Sequence, residues 1–328
     1  MVVRFACLAA LLLIATKASA TEIWMAAFEP VWRQIHHWPP NDYMEFFHAG
    51  SPWPRVAHAV KAFEFTEKFI ETATDAELET VIVDLKRRHI DLAMMGLPLV
   101  ATNVCGRAIE GYGPPHDMAR AALRVKAHGG TIAYVELDEP LYYGHRFDGR
   151  VPLPYETYPP IPCHSSIADL AAQSAGKIAE LRAVFPDAKI GDVEPVGVYP
   201  SSADLAADLA EWISAYRGAT GRPLAFFDID VAWLLPQWPE QFKIAAAAAR
   251  QAGIPLGVIY NGSRRDLSDA TWLASAESHI RLVESMPGGK PERAFFDTWT
   301  DNPRKMLPET SPETFTGLIR RYIEAEGQ

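Results

Sequence analysis

A repeating unit runs through most of this chain, in which an amphipathic helix ends at a glycine, proline or histidine and a short β-rich segment follows. Six such units can be read along the sequence, and two further strands precede them at "EIWMAAFEP" and "VKAFEFTEKFI". Helices that alternate with strands predict a parallel sheet, because each return of the chain to the sheet is then a right-handed crossover.

Eight strands joined mainly by helices predict a closed (β/α)8 barrel, folded as a single domain. An open doubly wound sheet is the rival fold, but the glycine-rich turn that usually follows its first strand is missing here. The segment 31–58 is rich in Trp, His and Pro and is predicted to be a long loop after the first strand. Thr74 with Glu77 predicts a capping box, and Ser311-Pro312-Glu313 predicts the start of the last helix.

The first twenty residues are predicted to be a secretory signal peptide. They comprise the basic start "MVVR", the apolar stretch "FACLAALLLIA" and the small residues "ASA" before Thr21. The apolar stretch is too short to span a bilayer, and no later stretch is long enough. We therefore expect residues 21–328 to form a secreted or periplasmic barrel domain that has no membrane contact after cleavage.

The chain is acidic, with 31 Lys and Arg residues against 41 Asp and Glu residues and a net charge of −10. An acidic surface repels polyanions, so nucleic acid is not expected as a partner. Cys105 and Cys163 follow the third and fourth strands and remain after signal cleavage. In an oxidising compartment we expect them to form a disulfide. The oligomeric state cannot be predicted from these features.

Acidic residues occur on at least four of the predicted strands. Side chains alternate between the barrel interior and the helix layer, and an unpaired carboxylate under a helix is costly, so the acidic faces are predicted to point inward. The inward sets are Tyr134, Glu136 and Asp138; Asp192 and Glu194; Phe226, Asp228 and Asp230; and Asp297 with Trp299.

Three Glu-Pro dipeptides end apolar segments, at Glu29, Glu139 and Glu194. Proline cannot donate to a strand ladder, so each glutamate is predicted to be the last strand residue at the C-terminal rim, where barrel active sites lie. Carboxylates that converge there raise one another's pKa at a cost in stability. The pattern therefore favours a functional carboxylate cluster over a solvated acidic rim.

Asp138-Glu139-Pro140, at the end of the fourth strand, resembles the Asn-Glu-Pro signature of the large clan of (β/α)8 glycoside hydrolases. The resemblance implies a carbohydrate substrate and a general acid/base role for Glu139. Asp138 replaces the asparagine that holds the sugar 2-hydroxyl in that clan. The clan's nucleophile is a glutamate that ends the seventh strand, whereas this strand ends in Tyr260 and Asn261, so no nucleophile is carried over.

Glu194 and Asp230 are the candidates for the second catalytic carboxylate. A separation of about 5–5.5 Å would suit a retaining enzyme and about 6.5–9.5 Å an inverting one. Tryptophan rings stack on sugar faces, and polar rim residues bind hydroxyl groups. The predicted substrate contacts are Asp138, Glu29, Glu67, Asp228, Tyr260, Asn261, Asp297, Trp299, Trp233, Trp38 and His145.

Two other functions remain open. A metal-dependent hydrolase or isomerase would use rim carboxylates with His36, His37, His48 or His145, but no His-x-His or His-Glu-x-x-His spacing occurs. A barrel that binds a glycan without cleaving it would explain the missing seventh-strand glutamate. No Gly-x-Ser-x-Gly elbow or phosphate-binding loop is present, and no cofactor or metal is expected.

Overall fold

The computed structural model describes residues 20–150 and 160–327. The predicted signal peptide, apart from Ala20, lies outside these residues. Eight parallel strands form a closed barrel, which confirms the (β/α)8 prediction. The strands are β1 (Glu22–Met25), β2 (Val60–Thr66), β3 (Asp91–Gly96), β6 (Ile132–Asp138), β7 (Lys189–Val196), β8 (Phe227–Val231), β9 (Leu256–Tyr260) and β10 (Arg293–Phe296). A separate two-stranded sheet, made of β4 (Leu99–Val100) and β5 (Tyr112–Gly113), lies in the connection after β3.

Helices surround the barrel. They are α1 (Pro30–Ile35), α2 (Pro54–Ala59), α3 (Glu67–Thr72), α4 (Asp75–Arg88), α5 (Asp117–Ala127), α6 (Ile167–Val184), α7 (Ser202–Thr220), α8 (Trp238–Gln251), α9 (Asp269–Glu284) and α10 (Phe315–Ala325). The segment 31–58 contains most of α1, a 3-10 helix at Tyr43–Phe47 and most of α2, so it is not the continuous loop that the sequence predicted. Its aromatic residues pack onto the barrel wall, as Tyr43 does against Phe63.

Of the two predicted helix starts, one is correct and the other is wrong. Thr74 and Glu77 form the predicted capping box at α4. The last helix begins later than predicted, because Thr314 is its N-cap and accepts a hydrogen bond from the Gly317 N–H. Ser311 lies in a preceding turn, where its hydroxyl accepts from the Glu313 N–H.

Two apolar layers hold the fold together. The larger lies between the sheet and the helices, and it includes the predicted core residues Trp212 and Trp272. The smaller fills the barrel interior around Trp24, whose ring lies 4.7 Å from that of Tyr134 and 5.2 Å from that of Phe226. Alanines at positions 62 and 93 leave room for these large rings, as in other packed barrel interiors.

Cys105 and Cys163 form the predicted disulfide, with their Cα atoms 5.1 Å apart and 58 residues between them in sequence. The bond joins the connection after β3 to the connection after β6. Within residues 20–150 and 160–327, no helix has the length and apolar character needed to cross a membrane.

Candidate active site

Five carboxylates meet at the C-terminal mouth of the barrel, and we refer to them as the mouth cluster. They lie at or just beyond the C-terminal ends of β1, β6, β8 and β10, which all open on the same face. Asp230 interacts electrostatically with several of the others. The members are Glu29, Asp138, Glu139, Asp230 and Asp297.

Glu139 directly follows β6 and is 6% exposed. Its φ of +45° lies in the left-handed region that residues with side chains rarely adopt. The prediction of an extended strand end is therefore wrong, because the chain reverses at this residue and a helical turn begins at Pro140. Burial raises the pKa of Glu139 well above its usual range, and the nearby charges of Glu110, Asp230 and Asp138 raise it further. A buried carboxyl that keeps its proton at neutral pH can act as a general acid.

Glu110 belongs to the site but was not found by sequence reasoning. It lies exposed on the connection between β4 and β5, and its carboxylate raises the pKa of both Glu139 and Tyr143. The next residue, Gly111, donates its backbone N–H to Oδ2 of Asp138 at 3.0 Å. No strand period or motif marks Glu110, because its place depends on how this connection folds back over β6.

Asp230 ends the inward face of β8, as predicted, and is half-buried. Burial raises its pKa to about 7, the Arg264 charge opposes that rise, and the Glu110 charge adds to it. The Asn261 side chain lies beside the carboxylate and also favours its charged form. The Oδ1 atom of Asp230 has no hydrogen-bond partner within the described residues. Asp230 can therefore change its charge near neutral pH, next to a protonated Glu139.

Asp138, Asp297 and Glu29 complete the mouth cluster. Burial raises the pKa of Asp138 and of Asp297 to about 7, and that of Glu29 to about 8. Glu29 accepts hydrogen bonds from the N–H and the hydroxyl of Thr66, at 2.8 and 3.1 Å. Glu29 does not end a strand, since β1 stops at Met25 and Glu29 is the N-cap of α1. Pro30 opens that helix, a position that suits proline.

Asp228 faces the interior as predicted, but it lies below the mouth and is fully buried. Arg293 donates to both of its oxygens, at 2.9 and 3.2 Å, and the guanidinium lies over the Trp24 and Phe226 rings. The predicted substrate contact is therefore wrong, because the carboxylate is held in an ion pair inside the barrel.

Glu64 and Glu136 also point into the barrel and are 2% and 0% exposed. Neither carboxyl has a hydrogen-bond partner that satisfies its oxygens within the described residues. Burial raises the pKa of both groups far above the usual range. Glu64 interacts with Asp297, Asp228 and Asp138. Sequence reasoning missed Glu64, although it shares the inward face of β2 with Ala62 and could have been found by the same alternation.

Asp192 points toward the helices, so its predicted inward orientation is wrong. Its Oδ2 accepts a hydrogen bond from the indole Nε1 of Trp212 on α7, at 2.6 Å. Val193, the next residue, packs with Trp24 in the interior instead. A carboxylate is tolerated under a helix here because that helix supplies a donor.

Glu194 shares the outward face of β7, and its predicted inward orientation is also wrong. It is 1% exposed, and its oxygens accept from the Leu141 and Tyr142 N–H groups at 2.6 and 3.0 Å. Pro195 lies within β7 and pairs with Asp230, so this proline does not end the strand.

Glu67 and Tyr260 likewise lie in the helix layer, and their predicted substrate contacts are wrong. Glu67 accepts the Leu97 N–H at 2.9 Å and is 3% exposed. Tyr260 is fully buried and donates its hydroxyl to Glu284 of α9 at 2.9 Å. Both side chains are therefore held by hydrogen-bond partners outside the barrel interior, away from the mouth.

Asn261 and Trp233 meet beside Asp230. The Trp233 indole donates to the Asn261 Oδ1 at 2.6 Å, and its ring stacks on His279 with centroids 3.9 Å apart. Trp299 packs against the interior aromatic layer. All three predicted contacts therefore lie at the C-terminal face.

Trp38 and His145 lie in connections on the same face. Trp38 stacks with His36 at 4.8 Å and contacts Phe28, which follows β1. His145 belongs to the helical turn after Glu139, and its Nδ1 lies 2.7 Å from the Ser165 carbonyl oxygen. Their roles toward a substrate stay predictions.

Within the described residues, no group of three or more His, Cys, Asp or Glu side chains is arranged to hold a metal ion. A surface depression of about 390 Å³ lies beside α10 and is lined by residues that include Glu309 and Arg320. None of the mouth carboxylates lines it. This depression is therefore separate from the mouth cluster.

No protein-family model matches the chain, and no curated protein matches it in sequence. Several solved structures are similar to it at low sequence identity. They include a fungal β-1,4-galactanase (9% identical, covering 92% of this chain and 100% of the other, TM-score 0.49), a family 1 β-glucosidase from Thermotoga maritima (12%, 94% and 98%, 0.47) and the aldolase QR15 (10%, 94% and 97%, 0.46). Similarity this distant carries no argument about function, which must come from the site.

Proposed function

We propose that the protein is a glycoside hydrolase that works through paired carboxylates at the barrel mouth. The observation that carries this proposal is a buried Glu139, with a pKa well above its usual range, beside an Asp230 whose pKa is about 7. Neighbouring carboxyls with different protonation states are what acid/base cleavage of a glycosidic bond requires. Glu139 is the proposed general acid, and Asp230 is the proposed base or nucleophile.

Asp230 is preferred to Glu194 as the second carboxylate. Both oxygens of Glu194 are occupied by backbone N–H groups on the helix side of β7. Asp230 is half-buried at the mouth and so is more accessible than Glu194, and its unpartnered Oδ1, although itself buried, is not held by a backbone donor within the described residues. A carboxylate must have an unoccupied oxygen to accept a proton from water or to attack a sugar carbon.

The proposed substrate is an oligo- or polysaccharide. Asp138, Asp297 and Asn261 would bind hydroxyl groups around the two catalytic carboxyls. Trp299, Trp233 and Trp38 would offer ring faces for stacking, and His145 would act as a further polar contact. Glu29 also belongs to the mouth cluster, but it is left out of this set because both of its oxygens already accept hydrogen bonds from Thr66.

Secretion or export to the periplasm is also proposed. The basic and apolar pattern of residues 1–20 supports it. The Cys105–Cys163 disulfide is a second support, because such bonds persist mainly in oxidising compartments.

The test is hydrolysis of a glycan panel by the purified mature protein, measured as new reducing ends. Glu139→Gln keeps the side-chain shape but removes the acidic carboxyl proton, and it should lower turnover by at least about 10²-fold. Glu211→Gln, at an exposed position on α7, is the matched control and should keep full activity. Near wild-type turnover by Glu139→Gln would contradict the proposal.

Two further outcomes would favour the other functions. Loss of activity in EDTA, restored by a divalent metal, would favour a metal-dependent enzyme. Tight binding of a glycan with no turnover under any condition would favour a non-catalytic glycan-binding barrel.

A further inference from the structure

The mouth holds more carboxylates than cleavage of a glycosidic bond needs. Two carboxyls suffice for that chemistry, whereas five belong to the mouth cluster and Glu110 adds a sixth. Within residues 20–150 and 160–327, no salt bridge pairs a mouth-cluster carboxylate with a lysine, arginine or histidine. Arg264 is exposed and acts on Asp230 only through its charge. The extra carboxylates therefore call for a role other than bond cleavage.

The protein supplies these carboxylates with few hydrogen-bond donors. Glu29 is bonded to Thr66, Asp138 to the Gly111 N–H, and Asp297 to the Thr298 N–H. Backbone amides and one hydroxyl carry no net charge, so these carboxyls, which burial keeps partly protonated near neutral pH, have no salt-bridged cation within the described residues to balance the negative charge they take on when they ionise.

Glu64 gives an independent indication that something outside the protein is bound here. It is 2% exposed, and neither of its oxygens has a hydrogen-bond partner within the described residues. Its electrostatic neighbours are Asp297, Asp138 and Glu29 of the mouth cluster and Asp228 of the interior ion pair, so it lies between the mouth and that ion pair. A buried carboxyl with no donor normally has an explanation, and a ligand that supplies donors from above is one.

We propose that the mouth binds a sugar carrying a free ammonium group, that is, an amino sugar within an oligosaccharide. This inference rests on the proposed function and names the substrate class of the same site. One ammonium brings three hydrogen-bond donors, no acceptor and a full positive charge. N-acetylation would remove that charge, and a uronic acid would be repelled by the carboxylates.

The aromatic residues favour a sugar over another kind of cation. Trp233 reaches the mouth through its bond to Asn261, which lies beside Asp230. Trp299 packs on the interior layer just beyond Asp297. Flat rings around a carboxylate cluster suit a pyranose, which has apolar faces and a polar edge, whereas a flexible polyamine has no such face.

Binding of matched probes tests the proposal in the mature Glu139→Gln protein, where the glutamine stands in for a protonated Glu139 and blocks turnover. Calorimetric titration would compare a glucosamine hexamer, an N-acetylglucosamine hexamer, cellohexaose and a galacturonic acid hexamer. We expect the glucosamine hexamer to bind at least about 10-fold more tightly than the neutral hexamers, with the acidic one weakest. Raising the salt concentration should reduce that advantage. Equal affinity for the charged and neutral hexamers would overturn the inference.

A second variant localises the effect. Glu110→Gln, added to the same protein, should reduce the preference for the glucosamine hexamer several-fold, because it removes a charge at the mouth. Glu211→Gln changes the net charge equally, but at α7, and should leave the preference unchanged. The inference fails if both variants behave alike, or if trilysine binds as tightly as the glucosamine hexamer. A wild-type protein that shows the preference but hydrolyses no glycan would overturn the proposed hydrolase and leave the ligand class standing.

Discussion

Gly111 donates its backbone N–H to Oδ2 of Asp138 at 3.0 Å, and this bond fixes the connection that carries Glu110 to the end of β6. Gly111 has a φ of +77°, and a Cβ atom added to it would lie 2.5 Å from the carbonyl oxygen of Asp138. Only glycine fits both the backbone conformation and this close approach. The position of Glu110 beside Glu139 therefore depends on a glycine.

Gly111→Ala should lower both stability and turnover. The strained φ costs on the order of 1–3 kcal/mol, and the clash with Asp138 adds to it by pushing the Glu110 connection away from the mouth. Gly253→Ala is the matched control, because its φ of +70° is similar but no atom lies within 4 Å of the added Cβ. Urea unfolding and glycan turnover would be measured for both variants. Equal effects of the two substitutions on turnover would show that the contact with Asp138 does not matter.

The pH dependence of turnover should reflect the charges around Glu139. Asp230 must be ionised, so activity should rise through its pKa of about 7, and it should fall at higher pH where Glu139 loses its proton. Glu110→Gln removes a negative neighbour and thereby lowers the pKa of Glu139, so the alkaline limb should move to lower pH. Glu211→Gln should leave the profile in place. A profile that does not move in Glu110→Gln would remove Glu110 from the site.

The alternation of helices with strands was enough to predict the barrel, and the alternation of side chains along a strand was enough to predict the inward face of β8. On that strand Phe227 and Ile229 are apolar and pack under helices, so only Asp228 and Asp230 were left to point inward. The same logic failed on β7, because it assumes that a carboxylate under a helix has no partner. Asp192 has one in Trp212, and the sequence does not show which helix residue reaches which strand residue.

Two residues of the site were missed for different reasons. Glu64 could have been found, since it alternates with Ala62 on a strand whose other face, with Phe63 and Phe65, is apolar. Glu110 could not, because its approach to Glu139 depends on a chain reversal held by Gly111 and by the disulfide. Local periodicity describes strands and helices, whereas the connections of a barrel are placed by contacts between distant residues.

Removing Arg293 should destabilise the barrel strongly. Arg293→Met leaves Asp228 unpaired in a closed interior, and the loss of one partner of a buried ion pair costs about 3–5 kcal/mol. Asp228 already lies close against Gly257 of β9, where its Oδ1 occupies the space that a Cβ would take, so it has little room to move in that direction. Adding Asp228→Asn to Arg293→Met should recover part of the loss.

The control for this substitution is Arg281→Met on α9. Arg281 is paired with Glu277 at 3.9 Å, but its side chain is 71% exposed. An exposed pair contributes about 0–1 kcal/mol, so this variant should unfold at nearly the wild-type urea concentration. Similar midpoints for Arg293→Met and Arg281→Met would mean that the interior ion pair does not hold the barrel together.

The mouth cluster should also make stability depend on pH. Burial raises the pKa of Glu29 from 4.5 to about 8 in the folded protein. Between these two values the folded state binds more protons than the unfolded state, so the free energy of unfolding falls as pH rises. Its contribution is fully present below about pH 4.5 and is lost as pH rises through about 8. Asp138, Asp230 and Asp297, whose pKa values are about 7, act in the same direction.

Glu29→Gln should therefore reduce the decline in stability without abolishing it. The amide oxygen can still accept the Thr66 N–H, so at pH 5 the variant and the wild type should have similar free energies of unfolding. At pH 8.5 the variant should be the more stable of the two, because it has no carboxylate to ionise in a site that is 3% exposed. Urea unfolding at both pH values measures the difference, and Glu211→Gln should follow the wild type throughout. If the free energy of unfolding of the wild type instead stays flat or rises from pH 5 to 8.5, Glu29 and the other mouth carboxyls are already ionised in the folded protein at pH 5.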